Sequence, residues 1–220
     1  MAKAYYSLMQ MAPTLLALIL LSMVPSPVTA QQAPLKAASL ESHEGLTVSA
    51  QPWTEGSQYK DKFPKKSPLA AGVIAVQVIF RNDTNESLRV NLERIRLTVQ
   101  LSDENRQEVQ SLTADQVADA VLKPAAKDPT KRSRLPVPLP TSKGGRDKHW
   151  TELQTEAQNA AVPTSVLAAH SSVQGLLYFD LQNQFDLLQS AHLYIPDVAQ
   201  MDRKVALTYF DVDLGRRVTQ

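Results

Sequence analysis

Apolar residues recur at every second position through much of this chain. Leu46, Val48 and Ala50 alternate with Thr47 and Ser49, which predicts a strand over residues 46–50. Residues 73–80 read VIAVQVIF, with β-branched side chains on both faces, and predict a central strand buried on both sides. Leu88, Val90 and Leu92 keep the two-residue period, which then slips by one before Ile95, Leu97, Val99 and Leu101. A bend, bulge or short turn at Glu93 and Arg94 accounts for that slip. Residues 171–181 place Leu177, Phe179 and Leu181 on one face, residues 191–195 form a short strand ended by Pro196, and residues 204–214 alternate with a phase change between Tyr209 and Phe210.

Two stretches switch to a helical period. Thr113 is a candidate N-cap with Gln116 three residues on, the spacing of a capping box, and Val117, Ala118 and Val121 follow on one face, so residues 113–122 predict a short helix. Trp150, Leu153 and Ala157 predict a second helix over residues 150–161, which Pro163 stops. Between them, residues 123–148 are poor in apolar side chains, and their LPVPLP run favours polyproline II or disorder. Residues 55–69 read as a polar surface connector and residues 31–44 as a flexible leader, because neither holds a regular period.

Roughly seven short strands separated by polar turns predict a mainly β fold, a β-sandwich occupying residues 45–220 as a single domain. Residues 112–163, helical, Pro-rich and basic, read as one long insertion between neighbouring strands. Three segments carry a resemblance. Residues 72–84 (GVIAVQVIFRNDT) resemble the apolar strand followed by Phe-x-Asn-x-Thr of secreted bacterial immunoglobulin-like domains of unknown function. Residues 171–180, where Gly175 precedes an aromatic-rich strand, look like the matching late strand, and residues 207–211 look like the closing one. The resemblance implies an immunoglobulin-like antiparallel β-sandwich, here with a long insertion carrying two short helices. It also implies a role in binding or assembly at the envelope, not catalysis.

The first 30 residues carry a different message. Lys3 precedes an apolar run over residues 11–24, and Val28 and Ala30 put small residues before a cleavage point, the layout of a secretory signal peptide. The run is shorter than the ~20 residues a spanning helix needs. The expectation is a mature chain from Gln31 that is exported, periplasmic or extracellular, and free of an integral membrane span.

Composition narrows the chemistry. Among 220 residues there are no Cys, which rules out disulfides, thiolate metal sites and a cysteine nucleophile. A net charge of +1 argues against nucleic acid as a partner. Four His (His43, His149, His170 and His192) show no ligand-like spacing, although their convergence in space would suit copper or zinc. Ser57 and Lys60 match S-x-x-K, the nucleophile motif of penicillin-recognising enzymes, without its companion elements. Asp211 and Asp213 before Gly215 read as the solvated face of a strand in preference to a calcium loop. Asn82-Asp83-Thr84 and Asn85-Glu86-Ser87 match glycosylation acceptors and also read as turn residues. The sequence thus assigns no catalytic residue, metal ligand or cofactor.

Charge is uneven, however. Residues 123–148 hold eight basic side chains against Asp128 and Asp147. Lys131, Arg132, Arg134, Lys143, Arg146 and Lys148 are therefore the candidate contacts to an anionic partner, either a protein or an envelope surface. The leading functional expectation is a non-catalytic exported binding or scaffolding protein of the cell envelope. A periplasmic metal-handling protein using His residues is the alternative, and a hydrolase built on Ser57 the third.

Overall fold

A computed structural model describes residues 39–102, 105–122 and 148–215. The protein is mainly β, with antiparallel sheets and few helices. Strand β1 (Ser39–His43) turns into β2 (Leu46–Trp53) through Glu44 and Gly45 at φ 49° and 77°. That pair of left-handed residues matches the twist of a tight hairpin. Residues 39–43, expected to be flexible, are thus a strand: the Glu-Gly turn folds them onto β2, and His43 pairs with Leu46.

The connector after β2 also departs from expectation. A single turn, α1 (Gly56–Tyr59), and a 3₁₀ turn over Pro68–Ala71 lead into β3 (Val73–Asn82). Within this polar stretch Tyr59 and Phe63 are buried. The Tyr59 hydroxyl donates to the Trp53 carbonyl (2.9 Å) and accepts from the Ala75 amide (2.8 Å), fastening the connector to β2 and β3. Burial pushes the Tyr59 pKa up to about 12. Lysines dominate the composition here, but two aromatic anchors decide where the chain lies.

Strand β3 is central, with β2 on one side and β8 (Ser172–Asp180) on the other. Its residues alternate between two cores. Ile74, Val76, Val78 and Phe80 face the main one, while Val73 and Ala75 face a second. This is why both faces of its sequence are apolar. Next come β4 (Leu88–Val90), a 3₁₀ turn over Leu92–Arg94 where the period slips, β5 (Arg96–Ser102) and β6 (Asn105–Leu112). Strand β6 has few apolar residues and is largely exposed along Asn105–Glu108, so no period announced it.

Helix α2 (Ala114–Leu122) begins with the expected reciprocal cap: Thr113 N–H donates to Gln116 Oε1 (2.8 Å) and Gln116 N–H to Thr113 Oγ1 (3.3 Å). Helix α3 (Lys148–Ala160) packs beside it. Val117, Ala118, Trp150, Leu153 and Ala157 close the second core over the outer face of β3 and β8, together with Tyr59, Phe63, Leu176 and Tyr178. Trp150 Nε1 donates to Asp119 (2.9 Å), and the Tyr178 hydroxyl donates to the Ala157 carbonyl (3.0 Å), so the helix pair is fixed to the sheet by polar as well as apolar contacts. Among the described residues no helix is long and apolar enough to cross a membrane.

The rest of the chain adds β7 (Val166–Leu167), β8, β9 (Ala191–Ile195), β10 (Val198–Gln200) and β11 (Phe210–Asp213). Residues 204–214 were expected to be one strand, but only Phe210–Asp213 forms the ladder. Val205 and Tyr209 are exposed, and the phase change at Phe210 marks where burial begins. One sheet of eight strands runs β1-β2-β3-β8-β6-β5-β9-β11, and a second of three runs β10-β4-β7. The long sheet curls until its two edges, β1 and β11, lie side by side. There the His43 ring stacks on Phe210 at 3.8 Å, and Glu41 and Glu44 accept the Asp211 and Thr208 amides. Inside the curl sits the main core, from Leu46 on β2 to Val212 on β11.

Candidate functional site

The long sheet forks. Strand β6 pairs with β5 from Asn105 to Gln110 but meets β8 only at Ser111 and Leu112. On the β8 side of the fork the segment after α3 takes over: the Val162 amide donates to the Leu176 carbonyl (3.3 Å), and Ala161 bridges Leu176 in parallel. Gly175 makes this approach possible, because a Cβ there would fall on the Val162 backbone, inside contact distance. The glycine singled out in the sequence is therefore a point of close chain crossing.

An open groove of about 1180 Å3 occupies this region. Amides and hydroxyls from separate elements line it: Gln110 and Ser111 of β6, Gln116 of α2, Gln158 of α3, and Thr164 and Ser165 beyond it. Leu176, Leu177 and Val162 add apolar surface, and Arg89, Glu93 and Asp197 supply the charges. Asp197 is engaged by Arg94 Nη1 at 2.8 Å. The lining offers hydrogen-bond donors and acceptors beside apolar contact area, which suits recognition of a ligand with both kinds of surface. Sequence reading missed this site, because its residues come from six segments and share no motif. One usable signal was the run of turn formers Ser-Asp-Glu-Asn at positions 102–105 of the sequence, which is compatible with an antiparallel partner directly after β5.

Asn82 organises the loops at the end of β3. It is fully buried, and its Nδ2 donates to the carbonyls of Glu86 (2.8 Å), Ala168 (2.9 Å) and Leu167 (3.3 Å). Its Oδ1 accepts from the Thr84 amide (3.0 Å) and hydroxyl (2.7 Å). The Phe-x-Asn-x-Thr segment thus joins the end of β3 to the loop after β7, and the matching glycosylation acceptor is enclosed by its own hydrogen bonds.

The other candidates disperse. Ser57 Oγ donates to Glu55 (3.2 Å) on an exposed turn, where the only bond from Lys60 to Ser57 is between their main chains. His43 lies 3.6 Å from Glu41 and 3.5 Å from Glu44, His192 3.3 Å from Asp211, His149 3.7 Å from Glu152, and His170 bonds Asn85 at 2.8 Å. Among the described residues no three His, Asp or Glu converge as metal ligands. Asp213 accepts the Gly215 amide (2.9 Å), capping the turn after β11. Of the six basic candidates, Lys131, Arg132, Arg134, Lys143 and Arg146 lie outside the described residues. Lys148 opens α3, highly exposed and 3.9 Å from Glu152. Glu152 also takes Lys65 at 2.6 Å, and that hydrogen bond holds its carboxyl below the usual range.

No family model matches the chain, and no curated protein matches it. Among solved structures it is similar to a functionally unknown protein from Listeria monocytogenes EGD-e. The two share 14% identity over 72% of this chain and 71% of that one, with a TM-score of 0.34.

Proposed function

We propose that this chain is a non-catalytic, exported binding or scaffolding protein of the cell envelope, built on an immunoglobulin-like sandwich with the segment of residues 112–163 inserted between strands. The groove at the fork of the sheet carries the reading. It is open, assembled from six segments held by two cores, and lined mainly by amides, hydroxyls and apolar side chains. Such a lining recognises a partner without needing a proton-transfer pair. The signal-peptide pattern of residues 1–30 supports export, and the basic stretch containing Lys131, Arg132, Arg134, Lys143, Arg146 and Lys148 supports an anionic partner or surface.

The test places a photo-crosslinking amino acid at Gln158 in the groove, and in a control at Gln51 on β2, in protein expressed in its native envelope. Mass spectrometry then identifies adducts and the mature N-terminus. A defined adduct specific to Gln158, on a chain starting at Gln31, supports the reading. Washing across a salt series reads the electrostatic part, because attraction from the basic stretch weakens as screening increases. Identical adduct patterns from the two positions, or a chain retained in the cytoplasm, would overturn it.

A further inference from the structure

The fork leaves one edge of β6 open. Among the described residues, Asn105 to Gln110 pair with β5 on one side and with no strand on the other, and all but Val109 are exposed. Unpaired main-chain groups along an edge are a template for another strand, and proteins commonly guard such edges with charge. Here Arg106 and Glu108 stand two residues apart and so share one face of the strand. Like charges would repel a second copy of the edge, but this alternation of sign does not.

Symmetry restricts the register. Two identical strands can pair antiparallel about a two-fold axis normal to the sheet only if one residue lies opposite its own copy. Centring on Arg106 or on Glu108 sets like charges face to face. Centring on Gln107 sets Arg106 opposite the second copy's Glu108, and Glu108 opposite its Arg106. Each Glu108 already accepts from Arg96 Nη1 of β5 (3.0 Å), so this register extends an existing ion pair into a network across the axis. Opposite charges directly across an antiparallel pair stabilise it, and like charges destabilise it.

We infer that β6 is a self-association edge, through which two copies of this chain join their eight-stranded sheets antiparallel about Gln107. The occupant is a second copy because the charge pattern of the edge is complementary to itself. A single pair of six-residue edges is a small interface, at the transient end near or below about 1,200 Å2, so the dimer forms by concentration and not as an obligate unit. This inference does not depend on the envelope-binding reading.

Sedimentation equilibrium of the whole chain, from about 10 μM to about 1 mM, tests it. The expected result is a monomer–dimer equilibrium. Arg106→Glu and Glu108→Arg each put like charges across the axis and weaken dimerisation about tenfold. An equimolar mixture of the two variants restores association as a heterodimer, since each supplies the sign the other lacks. Recovery on mixing also shows that both variants are folded. Gln107→Cys leaves the charges untouched in a chain with no other Cys, and it forms a symmetric disulfide under mild oxidation. Directly opposed Cα atoms in such a pair lie about 4.5–5.5 Å apart, within disulfide reach. A chain that stays monomeric throughout the range overturns the inference, as does a dimer that neither charge reversal weakens or one that Gln107→Cys fails to crosslink.

Discussion

Removing the carboxamide of Asn82 tests whether one buried side chain joins the two sheets. Asn82 sits at the end of β3 and is fully buried. Its two amide hydrogens serve three carbonyls, two at 2.8 and 2.9 Å and one shared at 3.3 Å, while its oxygen accepts twice from Thr84. Counting four full hydrogen bonds at about 1 kcal/mol each, Asn82→Ala costs about 4 kcal/mol. That is a large part of the about 5–15 kcal/mol by which a domain of this size is stable. Asn82→Asp discriminates further. It keeps the acceptor but faces a carboxyl towards the same three carbonyls. The neutral acid can still donate to one of them, whereas the carboxylate cannot. Its folded-state pKa therefore rises above the unfolded value of about 3.9. With that sign, the variant is least damaged below the unfolded pKa and loses further stability as pH rises through the folded one. Urea unfolding followed by Trp53 and Trp150 fluorescence at two pH values reads both effects. An Asn82→Ala variant within about 1 kcal/mol of the parent refutes the reasoning, because the loops would then be held by something other than this side chain.

Two further outcomes follow from other parts of the fold. Burial raises Tyr59 from about 10 to about 12 and pushes Tyr178 up as well, so stability is intact below pH 10 and falls between pH 10 and 12. The Tyr59 share is about 2–3 kcal/mol. Absorbance at 295 nm should show both tyrosines ionising only together with unfolding, and ionisation of Tyr59 and Tyr178 in the folded state would contradict their burial. Gly175→Ala drives a methyl group into the Val162 backbone and is expected to cost about 2 kcal/mol or more in Tm-derived stability, with adducts from Gln158 in the groove lost in parallel. A Tm equal to the parent's would mean that the Val162 segment does not lie against β8.

Much of the β architecture was legible because burial imposes a period on the residues that make it. β3 carries apolar side chains on both faces because two cores require them, and the slip between Leu92 and Ile95 is the 3₁₀ turn between β4 and β5. The capping box at Thr113 and Gln116 was legible for a similar reason: both partners lie within one helical turn, so their geometry is local. β6 was not legible. It is an exposed strand whose ladder is set by β5, so its own residues need no apolar period. Nor was the packing of Tyr59 and Phe63, two aromatics in a lysine-rich connector. Their burial depends on α2 and α3, which come roughly fifty to ninety residues later in the chain.

By itself the sequence determined what acts over a few residues: strand periods, turns, helix caps, the absence of thiol chemistry, and the concentration of positive charge in residues 123–148. Tertiary structure alone decided the rest. It brought the edges β1 and β11 together at His43 and Phe210, split the sheet between β6 and β8, and opened the groove there from segments as distant as Arg89 and Ala206. It also gave Asn82 and Gly175 their roles, which a turn residue and a strand glycine do not declare in advance. The physical reason is range. Period and capping record contacts between neighbours in the chain, whereas a groove and a free edge are defined by which distant segments pair and which do not.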